Sequence, residues 1–202
     1  MSPKLAYAPF EDGIEVNGQT VLSVVEGFAV FKKIPSDILL SVGIGQRGAD
    51  GYVALARDAW VSQTAWLEGF SRIASAVCTA ALYSIGLKIP ACAIFPGWVK
   101  EIHSACRSID IAYHLNHRKK GRVMFDEATG VMLEGIGHYG CEPHHGHNLI
   151  HCRCENPYPC DFDKGIVTAM AQRFQPTAWV DHLDGSCRKA GNDHCTYSVS
   201  WT

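Results

Sequence analysis

A chain of 202 residues, 47% hydrophobic and 19% charged, with no polar low-complexity tract, is long enough to bury a core and is neither disordered, collagenous nor a coiled coil. Twenty acidic against eighteen basic residues leave a net charge of −2, and the one basic run, His117, Arg118, Lys119, Lys120 and Arg122, is too short and isolated for a nucleic-acid face. The most apolar stretch, 74–95, is broken by Lys88 and Pro90, so no membrane span is expected, and the start Met1-Ser2-Pro3-Lys4-Leu5 carries no apolar signal region, which points to the cytoplasm.

In chain order, residues 13–25 read as a β-hairpin turning at Asn17-Gly18, because an Asn-Gly pair between alternating residues is a strong hairpin signal. A helix is expected to start at Pro35-Ser36-Asp37. Gly43-Ile44-Gly45-Gln46-Arg47-Gly48 matches G-x-G-x-x-G, but a dinucleotide unit needs a second strand and an acid within about 30 residues. Helical spacing continues instead, so the glycines read as small residues that let two helices pack closely. One long helix or two should run from Ala49 to Gly86. A further helix opens at Pro96 and ends at the basic run. Beyond Gly121 the period falls to two: strands at 122–126, 131–139 and 147–155, a helix over 161–174, then strands at 177–183 and 195–201 joined by a polar loop. Helices first and an antiparallel sheet later give an α+β fold, read as one domain over 1–202 with the hairpin as an extra lobe.

Nine cysteines and ten histidines set this chain apart, and six of the cysteines fall in the last third. An odd count without a signal region argues against a disulfide framework and for metal or catalytic thiols. On a strand, Cys152 and Cys154 share one face and His151 takes the other, and two neighbouring thiols invite a soft metal or an iron-sulfur cluster. The spacing fits neither a zinc ribbon nor a ferredoxin run nor a c-type haem motif. For the His-rich loop 138–151, a solvated polar loop and a ligand set remain open. Cys160 opens a helix, where the dipole and free N–H groups favour a thiolate, and Asp163 lies on the same helix face as a proton-moving acid. Cys187 and Cys195 bracket a polar turn that can bring both sulfurs together; with Cys160 and Asp184 they make three sulfur ligands and one oxygen, a set acceptable to zinc.

The ending Asp184-Gly-Ser-Cys187-Arg188-Lys-Ala-Gly191-Asn-Asp-His-Cys195 resembles the four-vinyl-reductase-like domain, with its acid followed by C-[KR]-x-x-G-x-x-x-C and a strand. Upstream, 43–58 is similar to that domain's glycine-bearing first helix. Cys160-Asp161-Phe162-Asp163 resembles the C-x-x-D opening of a late helix in the aminothiazoline-carboxylate hydrolase family. The resemblance implies an α+β domain that dimerises, with zinc held by Cys160, Asp184, Cys187 and Cys195. Cys152, Cys154 and His151 lie outside that pattern and open the way to a second cofactor site.

Three functions follow as expectations. The leading one is a small hydrolase-like enzyme acting on a sulfur- or nitrogen-containing compound, with Cys160 as nucleophile or metal ligand and Asp163 moving protons. It leads because a domain with reactive groups beyond a structural metal needs a reason for them. The second is a zinc-stabilised sensor holding a small ligand among Trp60, Trp66, Phe70, Trp98 and Tyr113. The third is a redox or carrier protein binding an iron-sulfur cluster or haem through Cys152, Cys154, Cys160, Cys187 or Cys195.

Overall fold

The computed structural model describes residues 6–28, 31–92 and 95–202. Strand β1 (Ile14–Asn17) runs into helix α1 (Gly18–Gly27), so the expected hairpin over 13–25 does not form. The Asn17 side chain accepts from the Gln19 N–H at 2.8 Å and caps the helix. Gly18 is required because a Cβ there would collide with the Ala56 carbonyl oxygen. The partners of β1 come from far along the chain.

Helix α2 (Lys33–Ser41) carries Pro35 in its first turn, near the expected start. The glycine-rich segment that follows is neither a phosphate loop nor a helix contact. Gly43 and Gly45 have φ of +80° and +73°, a left-handed turn that glycine adopts without strain. They lead into a two-stranded ribbon, β2 (Gln46–Arg47) and β3 (Val53–Ala54). The helical stretch begins only at Gln63, after β4 (Trp60–Ser62), and is broken once: α3 (Gln63–Ala76) and α4 (Thr79–Lys88), followed by a 3-10 turn, Ile89–Cys92. Helix α5 (Ile102–Leu115) starts six residues after Pro96, because Glu101 and Ser104 form a reciprocal capping box.

Two short strands, β5 (His117–Lys119) and β6 (Arg122–Val123), complete a first antiparallel sheet ordered β4-β1-β5-β6. The expected strands 122–126 and 131–139 reduce to β6, one isolated bridge between Phe125 and Met132, and the start of the next strand.

The C-terminal half follows the period of two closely. Strands β7 (His138–Pro143), β8 (Leu149–Glu155), β9 (Trp179–His182) and β10 (Cys195–Ser200) form a second antiparallel sheet ordered β7-β8-β10-β9, and α6 (Cys160–Gln172) links β8 to β9. Tyr139 pairs with Cys154 and Cys154 with Cys195; one step along, Cys141 pairs with Cys152 and Cys152 with Tyr197. Paired positions share a face, and these residues point toward α5 and α6, where most are buried. Helices α4 and α6 cross at Gly86 and Gly165, where a Cβ on either would strike the other helix's backbone at Phe162 or Tyr83. The core continues through Trp66, Phe70, Ile73 and Leu67, all fully buried. No helix among the described residues is long and apolar enough to cross a membrane.

Candidate ligand cavity and thiol cluster

The start of α6 and the loop before β10 bring three sulfurs together. Cys160 Sγ lies 3.2 Å from Cys195 Sγ and 3.8 Å from Cys187 Sγ, and all three fall within 4.8 Å of one another. Asp184, the expected oxygen ligand, is exposed in the turn and does not join this group. Arg188 fastens the cluster from behind: its backbone N–H and Nε each point to Cys195 Sγ at 3.5 Å. Its guanidinium donates to Asn156 Oδ1 at 2.7 Å and forms a fully buried ion pair with Asp163.

This arrangement redistributes charge relative to the helix-dipole expectation. The Cys160 thiol hydrogen-bonds to Cys195 and, with burial, is pushed far above its ordinary value. Cys195, against Cys160 Sγ and accepting from the Arg188 backbone N–H and Nε, is pulled down to about 4. Asp163 does not face the sulfurs as a proton donor; it accepts from the Tyr139 hydroxyl at 2.6 Å and pairs with Arg188. Burial raises it to about 6, with Arg188 and Tyr139 opposing the rise.

Cys152 and Cys154 face inward and His151 outward, as strand alternation expects, yet the three do not make one site. Cys154 lies between Tyr139 and Cys195 in the sheet register. Cys152 joins Cys141 and Cys106 in a separate group of thiols. His151 Nδ1 stands 3.0 Å from His144 Nε2 on the outer face.

A second feature had no signal in local sequence. Between α1, α3, α5 and α6 lies a cavity of about 100 Å³ walled by Trp66, Ile109, Tyr113, Tyr139 and Phe162. At its floor His117 Nδ1 donates to the Tyr113 carbonyl at 2.7 Å, which leaves Nε2 as an acceptor facing the Tyr158 hydroxyl at 3.1 Å. Trp66 Nε1 donates to the same hydroxyl at 3.3 Å. Burial pushes His117 down to about 4, so it is neutral at physiological pH. Thr20, Ile89, Ile109, Ala112, Asn116 and Ile166 also line an adjoining groove of about 450 Å³, to which Phe95 and Met170 add further apolar lining. Of the aromatics expected to hold a ligand, Trp66 and Tyr113 line the cavity and Phe70 stacks behind Trp66. Trp60 packs under Arg118, and Trp98 is exposed. His117, Tyr139 and Tyr158 were missed because they converge from separate elements with no shared motif.

No family model and no curated protein matches this sequence. Solved structures do match. An H-NOX protein from S. oneidensis in its Fe(II) ligation state superposes with a TM-score of 0.59 at 13% identity, over 91% of this chain and 95% of that one. The chain has the H-NOX fold. The S. oneidensis H-NOX protein in its Fe(II)NO state gives the same TM-score and identity over 91% and 98% of the two chains. An oxygen-binding H-NOX domain related to soluble guanylate cyclases, in its oxygen complex, gives 0.58 at 11% identity over 92% and 95%.

The H-NOX likeness corrects the resemblance drawn from the C-terminal motifs. It runs over nine-tenths of the chain, whereas the four-vinyl-reductase-like and aminothiazoline-hydrolase patterns rested on residues 150–202. The hydrolase reading loses its basis with them, and zinc as the expected cofactor finds no support among H-NOX neighbours.

Proposed function

We propose that this chain is a sensor domain of H-NOX fold that captures a small, neutral, mostly apolar molecule in the cavity above His117 and Tyr158. The observation that carries this reading is the combination of aromatic walls with one neutral imidazole on the floor, continuous along shared residues with a wider groove. Ligand sites are largely apolar concavities with a few placed polar groups, and this one has that composition. A ligand hydroxyl would compete with Tyr158 for the lone pair of His117 Nε2, so occupancy would be read by the Trp66–Tyr158–His117 chain and passed to α5, where His117 and Tyr113 are tied. The neighbours solved with nitric oxide or oxygen bound are small-ligand domains, which favours capture over hydrolysis.

A second reading, haem, is favoured by the fold likeness, but the residues present do not fit it. Cofactor pockets run to roughly 300–1,000 Å³; the cavity that holds His117 is about 100 Å³, and the adjoining groove of about 450 Å³, which is of that size, is not lined by His117. Both His117 nitrogens are engaged. The wider groove is lined by no imidazole, thiolate or phenol, Met170 being its one soft ligand among the described residues. Titration of the purified full chain with haemin is therefore expected to give no stoichiometric complex. A one-to-one complex with a sharp Soret band, lost in His117→Ala, would overturn the small-molecule reading.

We further infer that Cys160, Cys187 and Cys195 hold one thiophilic metal ion that ties the β10 loop to α6. Sulfurs bound at about 2.3 Å to a tetrahedral ion stand roughly 3.8 Å apart, and the observed separations of 3.2 and 3.8 Å need only a small adjustment. Elemental analysis of anaerobically purified protein is expected to show one equivalent of a soft metal, absent from Cys187→Ser. A metal-free protein that keeps three free thiols would refute this.

A further inference from the structure

One step around α5 from the cavity wall, Asp110 and His114 stand four apart on one helical face and meet His138 at the start of β7. One ligating atom from each of the three lies within 4.8 Å of the others. Asp110 Oδ2 is 3.0 Å from His138 Nδ1, while its Oδ1 accepts the Tyr139 N–H at 2.9 Å and is thereby fixed in orientation. The other nitrogen of His138 reaches Glu134 Oε2 at 3.2 Å.

His114 supplies the observation that helix–sheet docking leaves unexplained. Its ring is fully buried, and Nδ1 donates to the Asp110 carbonyl at 2.8 Å. Nε2 then carries the lone pair and has no hydrogen-bond partner. A buried acceptor left unpaired is costly and calls for an ion or a water. A ring held at one nitrogen by a backbone carbonyl with the other free is also the arrangement in which imidazole binds metals.

We propose that Asp110, His114 and His138 form a binding site for a borderline divalent transition-metal ion, separate from the thiol cluster. Two imidazoles and a carboxylate suit Co²⁺ or Ni²⁺ in preference to the all-oxygen shells of Ca²⁺ and Mg²⁺. The 3.0 Å between Asp110 Oδ2 and His138 Nδ1 matches neighbouring ligands on one ion, since bonds of about 2.0–2.2 Å at angles between octahedral and tetrahedral place donors roughly 2.9–3.5 Å apart. Metal would replace the proton now shared there. The site joins α5, one wall of the ligand cavity, to the edge strand β7.

The test is a Co²⁺ titration of the full-length reduced chain, followed in the visible spectrum and by paramagnetically shifted imidazole protons. The thiol cluster reports itself by intense sulfur-to-cobalt charge transfer, and the nitrogen–oxygen site by weak d–d bands without it. Expected is a saturable d–d signal that survives Cys187→Ser and weakens at least ten-fold in His138→Ala and in His138→Gln, the latter keeping a donor toward Asp110. A d–d signal unchanged in both His138 variants, or its disappearance with Cys187→Ser, would overturn the proposal.

Discussion

His117 shows how one residue's burial becomes a measurable property. Its side chain is enclosed, and its protonation is pushed from 6.5 down to about 4 by loss of solvent. The unfolded chain therefore binds the proton more readily than the folded one. The neutral imidazole's contribution to stability is complete above pH 6.5 and is lost as pH falls toward 4. Asp163 runs the other way: with its value raised to about 6, its contribution is present below 3.8 and lost as pH rises through 6. The two partly cancel in the parent protein, so the informative quantity is a difference. Denaturant unfolding of the parent and of His117→Gln at pH 8 and pH 5 should show the parent losing about 2 kcal/mol relative to the variant on acidification. Equal losses would place His117 in contact with solvent.

At the scale of elements, the close crossing of α4 and α6 sets the cavity's outer wall, because Phe162 and Ile166 are carried on α6. Glycine to alanine inside an exposed helix stabilises by about 1 kcal/mol. At Gly86 the sign should reverse: the added methyl would strike the Phe162 carbonyl and push the helices apart, with a loss of about 1–3 kcal/mol. Gly97→Ala, where nothing lies within 4 Å, serves as the control. Thermal unfolding of the two variants decides the point, and a Gly86→Ala protein as stable as the control would mean that the helices do not meet there.

The same crossing marks where local pattern stops informing. Strands β8 and β10 and helix α6 were legible because alternation and a helical face act over neighbouring residues. Asn17-Gly18 misled because an Asn side chain that caps a helix and one that closes a hairpin carry the same dipeptide. Gly43 and Gly45 misled because small size and positive φ are indistinguishable in sequence. In the candidate sites, Cys160, Cys187 and Cys195 do come together, but Asp184, added as the oxygen of a four-ligand set, lies outside. His117 and Tyr158 are 41 residues apart and meet only through the docking of α5 against the segment before α6.

For the whole molecule, the H-NOX fold here encloses a small aromatic cavity with a neutral histidine, and a buried Arg188–Asp163 pair that fastens a thiol cluster to the helix forming one wall. The measurement that bears most directly on this account is a ¹H–¹⁵N NMR titration of the full chain with benzyl alcohol, an apolar ring bearing one hydroxyl. Expected is saturable one-to-one binding with a Kd on the order of 0.1–10 mM. Shifts should concentrate at Trp66, Tyr113 and Tyr158, and binding should be lost in Ala112→Phe, whose ring fills the space shared by cavity and groove. Shifts that stay linear and spread over the surface, or binding unchanged in Ala112→Phe, would contradict it.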